Sequence, residues 1–285
     1  MNWFSHGNNQ KSHVFQVLAV FLLALALASV SPQKSEAGHK NTPKCSDKYH
    51  FILVHGAWHG GWAWYKVQTQ LEKAGHKVTV VDLPGHGIDK TAPETVTLAD
   101  YANRVIEAMD DANEPVVLVG HSMGGVAISM AAEARPDSID KLIYLAAFLL
   151  EDGVSLIDIA SIDTESTVGA NLIPGNGILD INRDVVEEAF YGMSPESDIT
   201  LAKSLLVVNP LLPIVTPVSV TEQNFGSVPR YYIATTNDNS ISPDIQEYMY
   251  TTTPCEEVFT IHSDHSPFFS RPTHLTKLLL RIADK

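Results

Sequence analysis

The chain has 285 residues, enough for one large domain or two small ones. With 45% hydrophobic and 18% charged residues, its composition is that of an ordinary packed globular protein. A formal net charge of −14 argues against nucleic acid as a partner, because no basic patch is present to neutralise phosphates.

The first 37 residues are predicted to be a secretory signal peptide and leader. Residues 14–30 form an almost unbroken apolar stretch, and small residues favour cleavage after Ala28 or Ala37. We therefore expect an exported protein, periplasmic or secreted, without stable membrane insertion once the leader is removed. The alternative is an uncleaved N-terminal membrane anchor, for which the apolar run is slightly short.

A polar, flexible approach over residues 38–48 is predicted to precede a domain over residues 49–285. Two cysteines, Cys45 and Cys255, occur in the chain. Export permits a disulfide between them, but two cysteines make no framework, and the sequence leaves open whether they are bonded.

Apolar strands alternate with helices through the first half of this domain, in the order β-α-β-α-β-α-β. Because these strands are continuous apolar runs, we predict that both faces of their sheet are covered. The pattern therefore predicts an α/β fold with a mainly parallel sheet of about six strands flanked by helices. The alternation stops between about residues 150 and 228, a segment too long for a loop, so we expect a helical cap after the fourth strand. Strands are predicted at Tyr49–Val54, Val78–Val81, Val116–Val119, Lys141–Phe148, Arg230–Thr235 and Glu257–Ile261, and helices at Trp62–Ala74, Thr97–Asn113, Val126–Ala134, Asp184–Tyr191, Glu196–Val208, and from Ser242 and Pro272.

A Gly-x-Ser-x-Gly motif occupies Gly120–Gly124, between the third strand and a helix of small residues. So sharp a turn imposes strained backbone angles on Ser122, and the flanking glycines let strand and helix approach closely. The serine hydroxyl would then stand above a helix N-terminus, which favours developing negative charge. Ser122 is the candidate nucleophile; the alternative is a glycine-rich turn with an incidental serine.

A histidine must take the proton from this serine, and in this architecture an acid and then a histidine follow it in the chain. His265 lies in the loop after the last predicted strand. It is preferred to His262, which ends that strand, and to His274, which falls inside the final helix.

The acid is expected just past the preceding strand, where Asp238 stands. The alternative is that Asp238 is an ordinary turn aspartate. Asp244 is one turn into the next helix, and Asp264 adjoins the histidine in sequence, so both are poorer candidates.

An oxyanion hole requires two backbone N–H groups, expected from Met123 and from Ala57 in the loop after the first strand. Gly56, Trp58 and His121 flank these positions and are the candidate substrate-binding residues.

Metal and cofactor chemistry has weaker support. His262 and His265 with Asp264 suggest a metal site, but their spacing matches no helical or finger template. A dinucleotide-binding Gly-x-Gly-x-x-Gly and a Walker motif are both missing from the sequence. No metal and no cofactor are therefore expected.

Residues 51–62, the turn 120–125, and segments 225–230 and 264–269 resemble those of the α/β-hydrolase superfamily, especially plant methyl esterases and hydroxynitrile lyases and similar bacterial carboxylesterases such as pyrethroid hydrolases. The resemblance covers nearly the whole mature chain and is weakest in the cap. It implies the same nucleophile, acid and base. Similar lyases carry a lysine after the histidine and a threonine in place of Gly56; this chain has Ser266 and Gly56, the esterase pattern.

The expected activity is therefore that of a serine carboxylesterase acting on small to medium apolar esters through an acyl-enzyme. The alternatives are lactonase, perhydrolase or hydroxynitrile lyase chemistry on the same triad, or a small-ligand-binding sensor on the same fold.

Overall fold

Nine strands form two separate sheets in a computed structural model that describes residues 48–285. The larger sheet has six strands in the order β2-β1-β3-β4-β8-β9, and every neighbouring pair in it is parallel. The predicted six-stranded, mainly parallel sheet is confirmed. The strands are β1 His50–Val54, β2 Lys77–Val81, β3 Val116–His121, β4 Ile139–Leu145, β5 Leu172–Pro174, β6 Ile178–Ile181, β7 Asn209–Pro210, β8 Arg230–Thr235 and β9 Glu257–Ile261.

Helices flank this sheet and also contact one another. The helix at Tyr65–Lys73 contacts the one at Pro272–Ala283, and the helix at Leu98–Ala112 contacts the one at Gly124–Ala134. The helix at Leu98–Ala112 begins with a capping box, in which Thr97 and Asp100 each accept a hydrogen bond from the other's backbone N–H. The helices are α1 Tyr65–Lys73, α2 Leu98–Ala112, α3 Gly124–Ala134, α4 Leu156–Ile162, α5 Val186–Phe190, α6 Glu196–Leu205, α7 Leu212–Val215, α8 Pro243–Thr252, α9 Pro267–Ser270 and α10 Pro272–Ala283.

The central strands are apolar throughout because both faces of the sheet are covered. All six residues of β3 are buried, and four consecutive residues of β1, Phe51–Val54, are fully buried. Each large aliphatic side chain buried in this way contributes about 1.5–3 kcal/mol of transfer free energy. This buried centre supports the loops that follow β1 and β3.

The cap over residues 150–228 is not purely helical, which corrects the sequence expectation. It contains α4 to α7, but also an antiparallel sheet in the order β5-β6-β7, with Leu172 paired to Ile181 and Ile178 paired to Pro210. These strands are two to four residues long and contain two prolines. Strands so short give no apolar alternation, so sequence patterning does not detect them.

The parallel arrangement places the carboxyl ends of β3, β8 and β9 at one edge of the sheet. The loops that follow these strands therefore meet at that edge, beneath the cap. Ser122, Asp238 and His265 lie in these three loops.

The predicted leader, its cleavage sites and Cys45 lie outside the described residues. Within residues 48–285, the thiol of Cys255 is free and partly buried. In this same part of the chain, none of the helices has the length and apolar character needed to span a bilayer.

Candidate active site

Ser122 lies on a sharp turn between β3 and α3 and has a φ of +53°. A Cβ at Gly120 would lie 2.8 Å from the Gly124 carbonyl oxygen, and one at Gly124 would lie 2.7 Å from the His55 carbonyl oxygen. Larger residues at these two positions would separate strand from helix. The two glycines thus permit the close approach that holds Ser122 in its left-handed conformation.

Asp238 and His265 are joined by a hydrogen bond of 2.8 Å between His265 Nδ1 and Asp238 Oδ2, and both side chains are buried. Because an ionised carboxylate only accepts, Nδ1 carries the proton and Nε2 is left as an acceptor. The Asp238 carboxylate also accepts hydrogen bonds from the Thr235 hydroxyl (2.7 Å), the Gln246 amide (3.2 Å), and the backbone N–H groups of Ser240 (2.8 Å) and Ile241 (2.9 Å).

His265 reaches the nucleophile turn through His121. The two imidazole rings lie 4.6 Å apart between centroids, and His121 Nε2 donates to the His265 carbonyl oxygen at 2.8 Å. Within the described residues, Ser122 and His265 make no direct hydrogen bond. Catalytic hydrogen bonds of this kind commonly tighten only when substrate is bound.

The alternative histidines and acids are placed elsewhere. His262, His274 and Asp244 are exposed. Asp264 is buried, but its Oδ2 accepts two hydrogen bonds from the cap. One comes from the backbone N–H of Met193, at 2.8 Å, and the other from the hydroxyl of Ser194, at 2.9 Å. Asp264 thus joins the loop of His265 to the cap.

The backbone N–H groups of Ala57 and Met123 are both candidates to hold an oxyanion. Both residues line the same cavity as Ser122, and they are 7% and 0% exposed. Among the described residues, neither N–H has a protein acceptor. Buried backbone donors without partners are rare in folded proteins, so two beside one serine hydroxyl are consistent with a site for an anionic oxygen.

An apolar cavity of about 220 Å³ lies between Ser122 and the cap. Of the described residues that line it, none carries a charge. Trp58, a predicted substrate-binding residue, is among them. The lining residues are Ala57, Trp58, Ser122, Met123, Phe148, Leu156, Ile157, Ala160, Ser161, Ser166, Val168, Gly169, Leu172, Leu179, Ile214 and Ser240.

Gly56 and His121, also predicted to bind substrate, do not line the cavity. A Cβ at Gly56 would lie 2.7 Å from Ser122 Cβ, so this glycine leaves space beside the serine. The His121 ring is buried and packs edge-on against Phe268 at 4.9 Å. Both residues pack beside the serine turn, and a role in binding substrate stays a prediction for each of them.

Trp58 has a φ of +62°, unusual for so large a residue. Three hydrogen bonds to the cap hold it there. Its N–H donates to Asn209 Oδ1 at 3.3 Å, its indole N–H donates to the Leu179 carbonyl at 3.0 Å, and its carbonyl accepts from the Val207 N–H at 3.0 Å. The loop after β1 is therefore held by the cap as well as by the sheet.

Several buried histidines surround this loop. Sequence reasoning gave His55, His59 and His86 no role and predicted that His121 binds substrate. Burial lowers the pKa of His59 to about 3, and it also lowers the pKa values of His55, His86 and His121. All four are therefore neutral near pH 7. Five of the chain's twelve histidines, these four and His76, fall within residues 55–121, and this clustering was the signal available in the sequence.

No group of three or more His, Cys, Asp or Glu side chains in residues 48–285 is arranged to hold a metal ion.

A sequence profile described as the Alpha/beta hydrolase family matches residues 51–276. This range contains both sheets except for His50, the cap and all of the candidate site residues. The chain belongs to the alpha/beta hydrolase family.

This alpha/beta hydrolase is 36% identical over 249 residues to the putative chloroplastic methylesterase 11 of Arabidopsis thaliana. The alignment covers 82% of this chain but 64% of the relative, so the chain spans less than two thirds of that relative's length.

Two solved structures are also similar to this hydrolase. The methylesterase MES16 from Arabidopsis is 33% identical, with a TM-score of 0.72 over 82% of this chain and 98% of that one. A pyrethroid hydrolase from Sphingobium faniae JZ-2 is 26% identical, with a TM-score of 0.76 over 84% and 98% of the two chains. The predicted resemblance to these families is confirmed.

Proposed function

We propose that the chain is a serine carboxylesterase with Ser122 as nucleophile, His265 as general base and acid, and Asp238 as the residue that orients His265. The observation that carries this proposal is the buried 2.8 Å hydrogen bond between Asp238 and His265 Nδ1. It leaves His265 Nε2 as an acceptor in the loop packed against the serine turn. If the pair of Asp238 and His265 only stabilised the fold, the strained backbone of Ser122 in the adjacent turn would have no explanation.

In the first half of the reaction, Ser122 Oγ attacks the ester carbonyl carbon while His265 Nε2 takes the hydroxyl proton. The carbonyl oxygen becomes an oxyanion and accepts hydrogen bonds from the N–H groups of Ala57 and Met123. Collapse of this intermediate breaks the ester C–O bond, and the leaving alcohol takes the proton from His265. An acyl group remains on Ser122.

In the second half, His265 removes a proton from water, which attacks the acyl carbon. A second oxyanion forms on the same two amides, and its collapse returns the proton to Ser122 and releases the carboxylic acid. Each lost oxyanion donor in such a site costs about 100- to 1000-fold in kcat.

The cavity favours small to medium apolar esters, including methyl esters, as substrates. Its volume of about 220 Å³ is below the ~300–1000 Å³ usual for ligand sites. The uncharged lining gives a carboxylate or ammonium group on the substrate no partner, and burying an unpaired charge is costly. The names of the relatives as methylesterases agree with this choice.

Lyase chemistry has a specific obstacle at Gly56. The similar lyases carry threonine at this position, but a Cβ here would lie 2.7 Å from Ser122 Cβ. Accommodating it would require movement of the serine turn or of the loop after β1. Ser266, where those lyases carry lysine, also provides no cation for a departing cyanide.

Export of the mature chain remains part of this proposal, supported by the apolar stretch at residues 14–30. N-terminal sequencing of the protein recovered from the medium or periplasm would test it, with a start at Ser29 or Gly38 expected. A full-length chain retained in the cell would contradict it.

Labelling with a fluorophosphonate tests the proposed nucleophile. The wild-type chain should gain one phosphonyl group on the peptide that contains Ser122, and it should hydrolyse short nitrophenyl esters. Ser122→Ala should lose both properties while keeping the wild-type melting temperature. A wild-type chain that is neither labelled nor active, or a Ser122→Ala chain that still turns over ester, would reject the proposal.

A further inference from the structure

A short segment of the cap, Tyr191–Ser194, contacts both loops that the proposed chemistry uses. Tyr191 follows α5, and its hydroxyl lies 2.7 Å from His59 Nε2. Met193 and Ser194 donate to Asp264, next to His265 in the chain. The cap is thus connected to the oxyanion loop on one side and to the base loop on the other.

The connection from Tyr191 continues to the backbone of Ala57. His59 Nδ1 lies 2.7 Å from the Ala57 carbonyl oxygen, so a proton on Nδ1 is donated to that oxygen. His59 Nε2 then has a lone pair that accepts the Tyr191 hydroxyl. For a neutral ring, the two hydrogen bonds are compatible with only one arrangement of protons, in which Tyr191 donates to His59 and His59 donates to Ala57.

Burial maintains that arrangement over a wide range of pH. Tyr191 and His59 are 0% and 1% exposed. Burial raises the pKa of the Tyr191 phenol well above its usual value, so the phenol keeps its proton. Burial also lowers the pKa of His59 to about 3, so the ring stays neutral and keeps one acceptor nitrogen.

The Ala57 carbonyl is the start of the peptide group that leads into Trp58, whose φ of +62° is held by bonds to the cap. The hydrogen bond from His59 therefore restrains the one peptide group between the candidate oxyanion amide and the strained tryptophan. Without it, the Ala57–Trp58 peptide group keeps the weaker restraint of the 3.3 Å hydrogen bond from the Trp58 N–H to Asn209. The backbone at Ala57 is then held less firmly, and a change in its backbone angles would also displace the Ala57 N–H.

We propose that Tyr191 is a positioning residue for the oxyanion amide of Ala57, acting through the ring of His59. This inference rests on the proposed esterase function and assigns a catalytic consequence to a cap residue that does not line the cavity. Through this connection, the cap orients the amide that stabilises the transition state as well as enclosing the substrate.

Tyr191→Phe removes the hydroxyl and keeps the ring, which packs against Phe190 and Phe269. The matched control is Tyr65→Phe, which removes another phenol hydrogen bond to the cap, from Tyr65 to Asp198 at 2.7 Å. Both variants loosen one core-to-cap contact, but only the first is connected to Ala57.

The test compares a trifluoromethyl ketone, whose carbonyl carbon bonds Ser122 Oγ and leaves an oxyanion, with the unreactive methyl ketone of the same chain length. In Tyr191→Phe we expect kcat and affinity for the fluorinated ketone to fall together by about tenfold, as for other indirect supporting contacts. KM and methyl ketone affinity should stay within about twofold, and Tyr65→Phe should match wild type.

Wild-type values in Tyr191→Phe, a loss confined to KM, or equal losses in both variants would overturn the inference while leaving the esterase intact. A wild-type chain that neither turns over esters nor bonds the fluorinated ketone would reject the proposed function itself. ¹⁵N NMR of the His59 ring needs no turnover and decides the hydrogen-bond arrangement separately. A protonated Nδ1 and unprotonated Nε2 at pH 7 are expected, and the opposite tautomer would overturn the inference.

Discussion

The six-stranded sheet and the cap over residues 150–228 reach the same cavity by different structural means. The sheet places its loops through continuous burial and parallel pairing, as in β3, where all six residues are buried. The cap packs buried side chains such as Phe190 into the common core, and it also contacts the sheet loops through polar side chains, as in Tyr191 to His59, Ser194 to Asp264 and Asn209 to His86.

This difference separates the tasks of the two regions. The sheet places the three loops that carry the proposed catalytic residues at one edge, and the cap supplies most of the cavity wall and restrains the oxyanion loop. Changes in the sheet loops should therefore affect the chemical step directly, whereas changes in the cap should act through binding or positioning.

The largest effect is expected for Asp238→Asn. The amide is similar in shape to the carboxylate but no longer stabilises the His265 tautomer with a proton on Nδ1, so kcat should fall by about 10⁴-fold. Steady-state hydrolysis of a nitrophenyl ester measures this. Asp244→Asn, on the exposed face of α8, is the control and should retain wild-type kcat. A loss of less than tenfold in Asp238→Asn would place the orienting acid elsewhere.

Gly56→Ala should disturb the meeting point of two sheet loops, because its Cβ would lie 2.7 Å from Ser122 Cβ. We expect a loss of about 1–3 kcal/mol in the free energy of unfolding from this overpacking. Gly169→Ala in the cap has no atom within 4 Å of its added Cβ and should leave the unfolding midpoint unchanged. Denaturant titration measures the free energy of unfolding of both variants. Equal losses in Gly56→Ala and Gly169→Ala would contradict the difference between the sheet loops and the cap.

Acid should lower the free energy of unfolding through the buried histidines beside the sheet loops. Unfolded histidine takes up a proton near pH 6.5, whereas folded His59 does so only near pH 3. The stability from the neutral ring is thus complete above about pH 6.5 and declines as the pH falls toward 3. Unfolding free energies measured across this range should show that decline.

Replacing one buried histidine should make this decline shallower. His86→Gln removes one group with a lowered pKa, so the slope should decrease by at most about 1.4 kcal/mol per pH unit. His274→Gln, on the exposed side of α10, should leave the slope unchanged. A steeper slope in His86→Gln would mean that the ring is charged in the folded protein.

The smallest effects compare two equivalent helix caps. Thr97 is the N-cap residue of α2, beside the sheet, and Ser155 is the N-cap residue of α4, within residues 150–228. Each forms a complete capping box. Either residue replaced by alanine should cost about 1 kcal/mol. Because the cap is fastened to the sheet loops, both variants should keep a single unfolding transition. A separate early transition in Ser155→Ala would show that the cap unfolds on its own.

The sequence predicted the sheet well because its strands carry long apolar runs. The strand at Arg230–Thr235 has the predicted bounds, whereas the fourth runs from Ile139 to Leu145 and not from Lys141 to Phe148. That shift reflects a chain that turns away from the sheet at Ala146, with a φ of +41°. Periodicity does not report such a turn.

Within the candidate site, the sequence located loops better than contacts. Its order of strands placed His265 and Asp238 in neighbouring loops, and the structure joins them. Nothing in the pattern connects Tyr191 to His59, which are 132 positions apart. Likewise, the role of Gln246 in holding Asp238 depends on how α8 packs over β8, which local patterns do not encode.

Rapid quenching of ester turnover, followed by mass spectrometry, tests most directly that the sheet loops assemble a serine nucleophile. During turnover of a nitrophenyl ester, the wild-type peptide containing Ser122 should carry the acyl group in the steady state. The same peptide from Ser122→Ala should carry none, and that variant should release no nitrophenol above background. Turnover without acylation of Ser122, or an acyl group on a different residue, would contradict the account.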